Sequence, residues 1–264
     1  MTLALAALAG LLGLVVGSFL NVVVHRVPAG RSVVRPRSAC PACGHEVRAR
    51  DNVPVVSWLV LRGRCRDCGA PISARYPLVE LGTGVLFAAT FLVLEARGQL
   101  AVLPAALFLA AISIALAAID LDTRRLPNAI VLPSYPVLAV LLVLASALGG
   151  DWSALARAGI GGAALWLLYF LVMVAKPGGM GFGDVKLAGL LGGVLGWFGW
   201  GSLVVGAFAA FLVGGVFSVV LMLAGRAGRK SAIPFGPWML LGAWVGILAG
   251  PAAWQWYGGL LGLA

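Results

Sequence analysis

Long apolar runs dominate the sequence and constrain its fold more than any other feature. They lie at residues 3–24, 78–94, 100–119, 128–148, 154–175, 185–200, 203–224 and 236–256. Most are long enough to cross, as helices, a hydrocarbon core about 30 Å thick. Backbone groups inside a bilayer must find hydrogen-bond partners within the protein, and a helix supplies them within one segment. We therefore predict an all-α polytopic membrane protein with about eight transmembrane helices.

Composition supports the same fold class. Apolar residues make up 61% of the chain and charged residues 11%, which leaves too little polar material to cover a soluble fold of this size. The first apolar run starts at Leu3, has no basic segment before it, and continues to about Val24. This run is longer than the apolar region of a secretory signal, so we interpret it as a retained span.

The net charge of +10 follows the spans rather than forming one basic face. More than half of the 19 lysines and arginines lie between Arg26 and Arg75, and the others occupy short gaps between apolar runs. With eight crossings, all of them except Arg97 and Arg157 fall on one side, which is the bias of cytoplasmic loops. The pattern predicts a multi-pass membrane protein that meets lipid headgroups and binds no nucleic acid.

The loop at residues 25–77 is the only sizeable one, and it contains all four cysteines. They form two CxxC pairs, each followed by a glycine, at Cys40, Cys43, Cys65 and Cys68. Two such turns can present four thiolates to one tetrahedral zinc ion, and a reducing cytoplasm disfavours disulfides. We predict a cytoplasmic tetra-cysteine, zinc-ribbon-like insertion with a structural metal. Free or redox-active thiols are the alternative.

This loop divides the chain into two predicted regions. Residues 1–77 comprise the first transmembrane helix and the four-cysteine loop, and residues 78–264 form a seven-helix membrane domain.

Three aspartates lie where apolar runs meet predicted cytoplasmic loops: Asp120, Asp122 and Asp184. An ionisable group at such a boundary costs several kcal/mol unless it is paired or hydrated, so each is a functional candidate. Two carboxylates at one site can share a proton. The ionised member then deprotonates water while the protonated member polarises a scissile carbonyl, and this reaction needs no catalytic metal.

Other readings of these aspartates remain open on residue chemistry alone. The carboxylates could be partners for nearby Arg124, Arg125 and Lys186, in a membrane scaffold that recruits other proteins through its zinc ribbon. They could also relay protons or ions in a transporter. The sequence has neither the GxSxG motif of serine hydrolases nor the HExxH motif of zinc proteases, so it favours no other hydrolytic mechanism.

Taken in order, the motifs resemble those of the type IV prepilin peptidases, which are bacterial GxGD-type aspartyl proteases. Besides the paired CxxC motifs, the resemblance is carried by residues Gly17–Pro28, Tyr76–Glu80, Asp120–Asn128, Gly179–Lys186 and Ile233–Pro237. The segments extend over nearly the whole chain.

The resemblance implies an enzyme with two activities. It would lie in the bacterial inner membrane and remove the short basic leader of type IV prepilins and type II secretion pseudopilins at the cytoplasmic face. It would then N-methylate the new terminus with S-adenosylmethionine, although no sequence feature identifies the site for this methyl donor.

The resemblance also assigns residue roles. Asp120 and Asp184 would form the catalytic dyad, with Gly181, Gly183 and Lys186 in the supporting loop. Asp122 is a weaker candidate, because residues two apart on a helix point in nearly opposite directions.

Overall fold

The computed structural model describes residues 1–176, 178–226, 228, 233–260 and 262. In this part of the chain the regular structure is helical, apart from two isolated β-bridges in the four-cysteine loop. The α-helices are α1 (Thr2–Arg26), α2 (Val56–Val60), α3 (Arg75–Ala96), α4 (Leu103–Thr123), α5 (Asn128–Gly149), α6 (Trp152–Ala175), α7 (Phe182–Phe198), α8 (Trp200–Leu223) and α9 (Gly236–Leu260).

The prediction of an all-α polytopic membrane protein is confirmed. Seven helices, all of them except α2 and α7, are long and apolar enough to cross a membrane. The predicted sixth span corresponds to α7, whose 17 residues lie at the lower end of the roughly 17–25 that a crossing requires. By length and composition the count is therefore seven, with α7 as a shorter eighth helix. In the predicted 225–235 loop, residues 227 and 229–232 lie outside the described residues.

The chain folds into two compact units, Met1–Ala115 (unit 1) and Leu116–Ala264 (unit 2). The predicted division at residue 77 differs from this boundary between compact units, and as a division of function it stays a prediction.

Unit 1 is built around the pairing of α1 with α3. The contact depends on glycines of α1. A Cβ added at Gly13 would lie 2.7 Å from the Thr83 carbonyl oxygen, and one at Gly17 would lie 2.7 Å from the Glu80 Cα. Small residues of this kind allow two membrane helices to approach closely. The pairing leaves the end of α1 and the start of α3 side by side at the base of the four-cysteine loop.

Unit 2 has α7 at its centre, where it packs against α5, α6, α8 and α9. Beyond its first turn, α7 buries apolar residues and glycines around most of its circumference, as expected for a helix enclosed by its neighbours. Glycines again set the distances: a Cβ at Gly161 of α6 would lie 2.6 Å from the Gly192 carbonyl oxygen, and one at Gly246 of α9 would lie 2.5 Å from the Ser202 carbonyl oxygen. The first turn of α7 lies at the less buried end of this packing, where Phe182 is exposed and Asp184 is half-buried.

Candidate active site and metal centre

Asp120 lies in the last turn of α4 and is only 4% exposed. Its Oδ2 accepts a hydrogen bond of 3.0 Å from the backbone N–H of Gly236, the first residue of α9. The first amides of a helix have no partner within the helix, and the helix dipole there favours negative charge. A Cβ at Gly236 would lie 2.7 Å from this oxygen, so the close approach depends on glycine.

Asp184 occupies the first turn of its own helix, α7. Its Oδ2 accepts a hydrogen bond of 3.1 Å from the N–H of Gly181, and its own N–H donates to the Gly181 carbonyl at 3.1 Å. An acidic residue that reaches back to the N-cap amide is a common way to begin a helix. This contact alone therefore does not indicate catalysis.

The loop between α4 and α5 contacts the start of α7 and the start of α9. Leu126 packs against both Gly183 and Gly236, since a Cβ added at either glycine would lie 3.2 Å from a Leu126 side-chain carbon. The Asp120 and Asp184 carboxyl groups are close enough to interact electrostatically. Unit 2 thus brings both predicted aspartates to one region, where each carboxyl group meets the N-terminus of a helix.

Lys186 contacts neither aspartate. Its Nζ donates a hydrogen bond of 2.7 Å to Asn128 Oδ1 and lies 4.9 Å from the centre of the Phe182 ring. Its backbone carbonyl accepts a hydrogen bond of 2.5 Å from the Tyr135 hydroxyl. Within the described residues, this side chain therefore joins the start of α7 to α5 and forms no ion pair.

The four cysteines sit in two equivalent turns. In the first, the Gly44 N–H donates to the Cys40 carbonyl at 2.8 Å, and in the second the Gly69 N–H donates to the Cys65 carbonyl at 2.9 Å. Both glycines have positive φ, 75° and 72°, a conformation that glycine adopts without steric cost. Each turn therefore directs the two thiols of its CxxC pair toward the same point.

The thiol geometry fits a metal ion. All four Sγ atoms lie within 4.8 Å of one another, and those of Cys40 and Cys68 are 3.8 Å apart. Zinc–sulfur bonds of about 2.3 Å in a tetrahedral site place the sulfurs about 3.8 Å apart. The cysteines are free thiols rather than disulfides. They are positioned to bind one metal ion, as the spacing predicts. His45 instead contributes its backbone carbonyl, which accepts from the Cys40 N–H at 2.9 Å.

Comparison with known proteins extends over nearly the whole chain. Residues 11–94 match the Bacterial Peptidase A24 N-terminal domain, and residues 107–219 match the Type IV leader peptidase family. The prepilin leader peptidase/N-methyltransferase of Aeromonas hydrophila is 39% identical over an alignment that covers 94% of this chain and 91% of that protein. The chain belongs to the type IV leader peptidase family.

Two further relatives with the same name support this assignment to the type IV leader peptidase family. The Pseudomonas aeruginosa protein is 37% identical, with 91% of this chain and 89% of that protein covered. The Stutzerimonas stutzeri protein is 36% identical, with 94% and 92% covered. No solved structure matches the chain. The family resemblance inferred from the motifs is confirmed.

The pKa values of the cysteine thiols indicate why a cation would stabilise this cluster. Backbone N–H groups of Cys43 and Ala42 lower the pKa of the Cys40 thiol to about 7. At Cys68 the Ala70 N–H favours the thiolate, but burial and the other thiols outweigh it and raise the pKa to about 12. Four thiolates this close repel one another, and a divalent cation removes that repulsion.

Several residues of the aspartate region were not assigned a role from the sequence. The Gly236 amide lies within the Ile233–Pro237 segment that carries the resemblance, yet the pattern does not reveal that its N–H bonds to Asp120. Asn128 likewise belongs to a recognised segment. Tyr169 of α6, buried against Phe211 and interacting electrostatically with Asp184, belongs to no motif. The sole sequence signal for Tyr169 is an aromatic residue with a polar group inside a predicted membrane helix.

Proposed function

We propose that this chain is an aspartic leader peptidase of the bacterial inner membrane. Its substrates would be type IV prepilins or pseudopilins, whose short basic leader it removes at the cytoplasmic face. One observation carries the proposal: Asp120 and Asp184 come from separate helices of unit 2, each carboxyl group accepts a backbone N–H at a helix N-terminus, and the two groups interact electrostatically. Names of relatives agree, since they are called prepilin leader peptidases.

Asp120 is better suited to this role than Asp122. The Asp120 side chain is buried and bonded to Gly236, whereas Asp122 is exposed on another face of the same helix turn. Because Asp120 is buried, its carboxyl group is partly shielded from bulk water. Interactions between charges are stronger in such a setting than in water.

In the proposed hydrolysis the two carboxyl groups hold one proton between them. The ionised carboxylate takes a proton from water as the water oxygen bonds to the scissile carbonyl carbon. The protonated partner donates a hydrogen bond to the carbonyl oxygen. When the carbon–nitrogen bond breaks, its electron pair stays on nitrogen, which takes the proton that the carboxylate removed from water and leaves as the new N-terminal amine. The carbonyl carbon becomes the carboxyl group of the released leader.

The distribution of basic residues supports a cytoplasmic active site. Asp120 precedes Arg124 and Arg125, and Asp184 lies between Lys176 and Lys186. Basic residues close to the ends of spans concentrate on the cytoplasmic side.

The same chain would also methylate the product, because its relatives are named N-methyltransferases as well. The nitrogen of the new N-terminus forms a bond to the methyl carbon of S-adenosylmethionine. The sulfur–methyl bond breaks and leaves its electron pair on sulfur, and the nitrogen releases one proton to water. Methylation must follow cleavage, since cleavage creates the amine.

Zinc is the metal that best suits the cysteine cluster. Cys40, Cys43, Cys65 and Cys68 would fill a tetrahedral coordination sphere with sulfur, and such a site has no open position for a reacting water. We therefore propose that the ion holds the loop together and takes no part in hydrolysis.

Co-expression with a prepilin-like substrate tests this function. Mass spectrometry of the substrate should show loss of the leader and the added mass of one methyl group. Asp120→Asn and Asp184→Asn proteins should leave the leader in place, whereas the matched Asp122→Asn protein should remove it. A scaffold or transporter would give the same substrate masses with and without the aspartates.

A further inference from the structure

Unit 1 contains a cavity of about 870 Å³ between the end of α1, the four-cysteine loop and the start of α3. The volume falls within the range of about 300–1,000 Å³ that is typical of small-molecule sites. The polar and aromatic residues on its wall that matter here are Asn21, Arg31, Arg35, Trp58, Tyr76 and Glu80. The proposed hydrolysis uses none of them.

Glu80 places a buried carboxyl group in this cavity. The residue is 8% exposed, and its Oε2 accepts a hydrogen bond of 2.7 Å from the Val55 N–H. In the described part of the chain, its other carboxylate oxygen has no hydrogen-bond donor. A carboxylate this buried is costly without a cation or further donors, so it suits a positively charged group of a ligand.

The backbone around Glu80 is held in place from both sides. Val55 has a φ of 62°, a strained conformation for a β-branched residue, and it directs its N–H at the carboxylate. Opposite, Gly17 of α1 lies against the Glu80 Cα. Such a rigid setting is typical of a binding group rather than a mobile surface residue.

Of the six arginines described on the cavity wall, Arg31 and Arg35 are the two available to a ligand. Within the described residues, the side chains of Arg31 and Arg35 form no hydrogen bond or ion pair. Arg48 and Arg66, which also line the cavity, are already bonded to Asp67 and Asp51. A guanidinium group binds carboxylates through paired N–H donors. The wall thus combines an anionic position with a separate cationic one.

Aromatic side chains complete the set. Tyr76 remains 45% exposed at the start of α3, and the Trp58 ring is oriented by a hydrogen bond of 3.0 Å from its Nε1 to the Ile72 carbonyl. Flat aromatic rings stack on heterocycles of any identity. A ligand that matches all three features carries a positive charge, a carboxylate and a flat ring system.

We infer that this cavity of unit 1 binds S-adenosylmethionine. Glu80 recognises the positively charged sulfonium and ammonium end, Arg31 and Arg35 the carboxylate, and Tyr76 the purine ring. The inference rests on the methyl transfer proposed above and adds the place where the donor binds.

Cross-linking locates the site without any mutation. Radiolabelled S-adenosylmethionine is irradiated with the purified full-length protein, and labelled peptides are identified by mass spectrometry. We expect label between residues 18 and 80, the span that lines the cavity. An excess of S-adenosylhomocysteine should abolish the label, whereas ATP, which lacks the amino-acid part, should not. Label confined to residues of unit 2 would overturn the inference.

Binding by variants tests the individual contacts. Glu80→Gln should weaken S-adenosylhomocysteine binding at least tenfold in equilibrium dialysis, because the amide keeps the shape and loses the charge. Glu95→Gln is the matched control: Glu95 is on the same helix, accepts from Thr2 at 2.6 Å and does not line the cavity. The affinity of the Glu95→Gln protein for S-adenosylhomocysteine should change less than twofold. Arg31→Ala combined with Arg35→Ala should also weaken binding, with Arg62→Ala as control.

The melting temperature of each variant reports whether it folds. If folded Glu80→Gln protein binds as tightly as wild type, the inference is wrong. In that case, a wild-type protein that still methylates a pre-cleaved peptide would leave the proposed function intact. A wild-type protein that neither binds the donor nor methylates would overturn both.

Discussion

The two units use the same close helix packing but place their polar groups differently. In unit 2 the candidate catalytic groups sit at helix N-termini, where backbone amides and helix dipoles surround each aspartate. In unit 1 the polar residues belong mainly to a loop of little regular structure, which surrounds a cavity and a thiol cluster. Helix ends give a reacting pair a rigid setting, whereas a loop provides more surface for holding a ligand.

The stability of the unit 1 loop therefore has another source than helix packing. Arg66 binds Asp51 through two nitrogens at 2.6–3.0 Å, and Arg48 binds Asp67 at 2.6 Å. The Arg66 guanidinium, hydrogen-bonded to Asp51, holds the pKa of that carboxyl below its ordinary value. Exposed ion pairs of this kind are weakened by salt and contribute little. The thiol cluster is the stronger candidate for holding the loop together.

The largest effect should come from the aspartates of unit 2. Asp120→Asn and Asp184→Asn should each lower leader cleavage by roughly 10²–10⁴-fold, the usual contribution of an acid or base, because an amide cannot take up or share the proton. Cleavage rates of purified variants on a prepilin-like peptide measure this. Asp122→Asn, the control from the same helix end, should stay within about twofold of wild type. A rapid Asp184→Asn enzyme would remove that residue from the dyad.

The same variants separate the two units. Asp184→Asn protein should still methylate a synthetic peptide that begins at the mature N-terminus, because this substrate does not need cleavage. Methyl transfer from labelled S-adenosylmethionine is the measurement. If wild-type protein does not methylate this peptide, the chain is a peptidase only.

The second effect concerns the metal in unit 1. Purified protein should contain one zinc ion per chain, and Cys43→Ser or Cys65→Ser should lose it and make residues 25–77 at least tenfold more sensitive to protease, since the metal closes the loop. Elemental analysis and limited proteolysis test both statements. His45→Ala, within the same turn, should keep the metal. Metal-free wild-type protein with a protease-resistant loop would contradict the prediction.

Some features of the molecule could be predicted because they depend on local pattern. Apolar length predicts membrane helices, and the CxxC spacing with its glycines predicts the thiol cluster. Asp120 and Asp184 stand out because charge is rare at the ends of apolar runs.

Other features depend on contacts between residues far apart in the sequence. The hydrogen bond from Gly236 to Asp120 joins residues 116 positions apart in the sequence. Val55 contacts Glu80 only after the loop folds back on α3. No spacing rule gives such pairs. The sequence pattern does not give the ends of α7. Its glycine-rich start continues the preceding loop, and its last residue, Phe198, is followed almost at once by α8.

A smaller effect should follow from tightening the α1–α3 contact. Gly17→Ala places a methyl group against the Glu80 Cα, and such overpacking costs about 1–3 kcal/mol. We expect a lower melting temperature and methylation reduced more strongly than cleavage. In Gly10→Ala the new Cβ would meet its nearest neighbours at 3.5 Å, an ordinary contact, so stability and both activities should remain close to wild type. Equal loss of both activities in Gly17→Ala would argue against separate roles for the two units.

The smallest effect should come from Lys186, which contacts the aspartate region only indirectly. Its ammonium bonds to Asn128 and holds the start of α7 against α5. Lys186→Met should lower leader cleavage by roughly three- to tenfold, which corresponds to about 0.7–1.4 kcal/mol. This is less than the roughly 1.5–3 kcal/mol of a strong charge-assisted hydrogen bond, because the Lys186–Asn128 bond is exposed and part of the contact with Phe182 remains.

A double-mutant cycle separates this positioning role from a direct one. Asn128→Ala removes the same hydrogen bond from the other side, so its cleavage rate should fall to a similar extent. The combined Lys186→Met and Asn128→Ala protein should be no slower than either single variant, since both changes break one interaction. A Lys186 that instead contacts the substrate would give additive losses. In that case Asn128→Ala alone would have almost no effect on the cleavage rate.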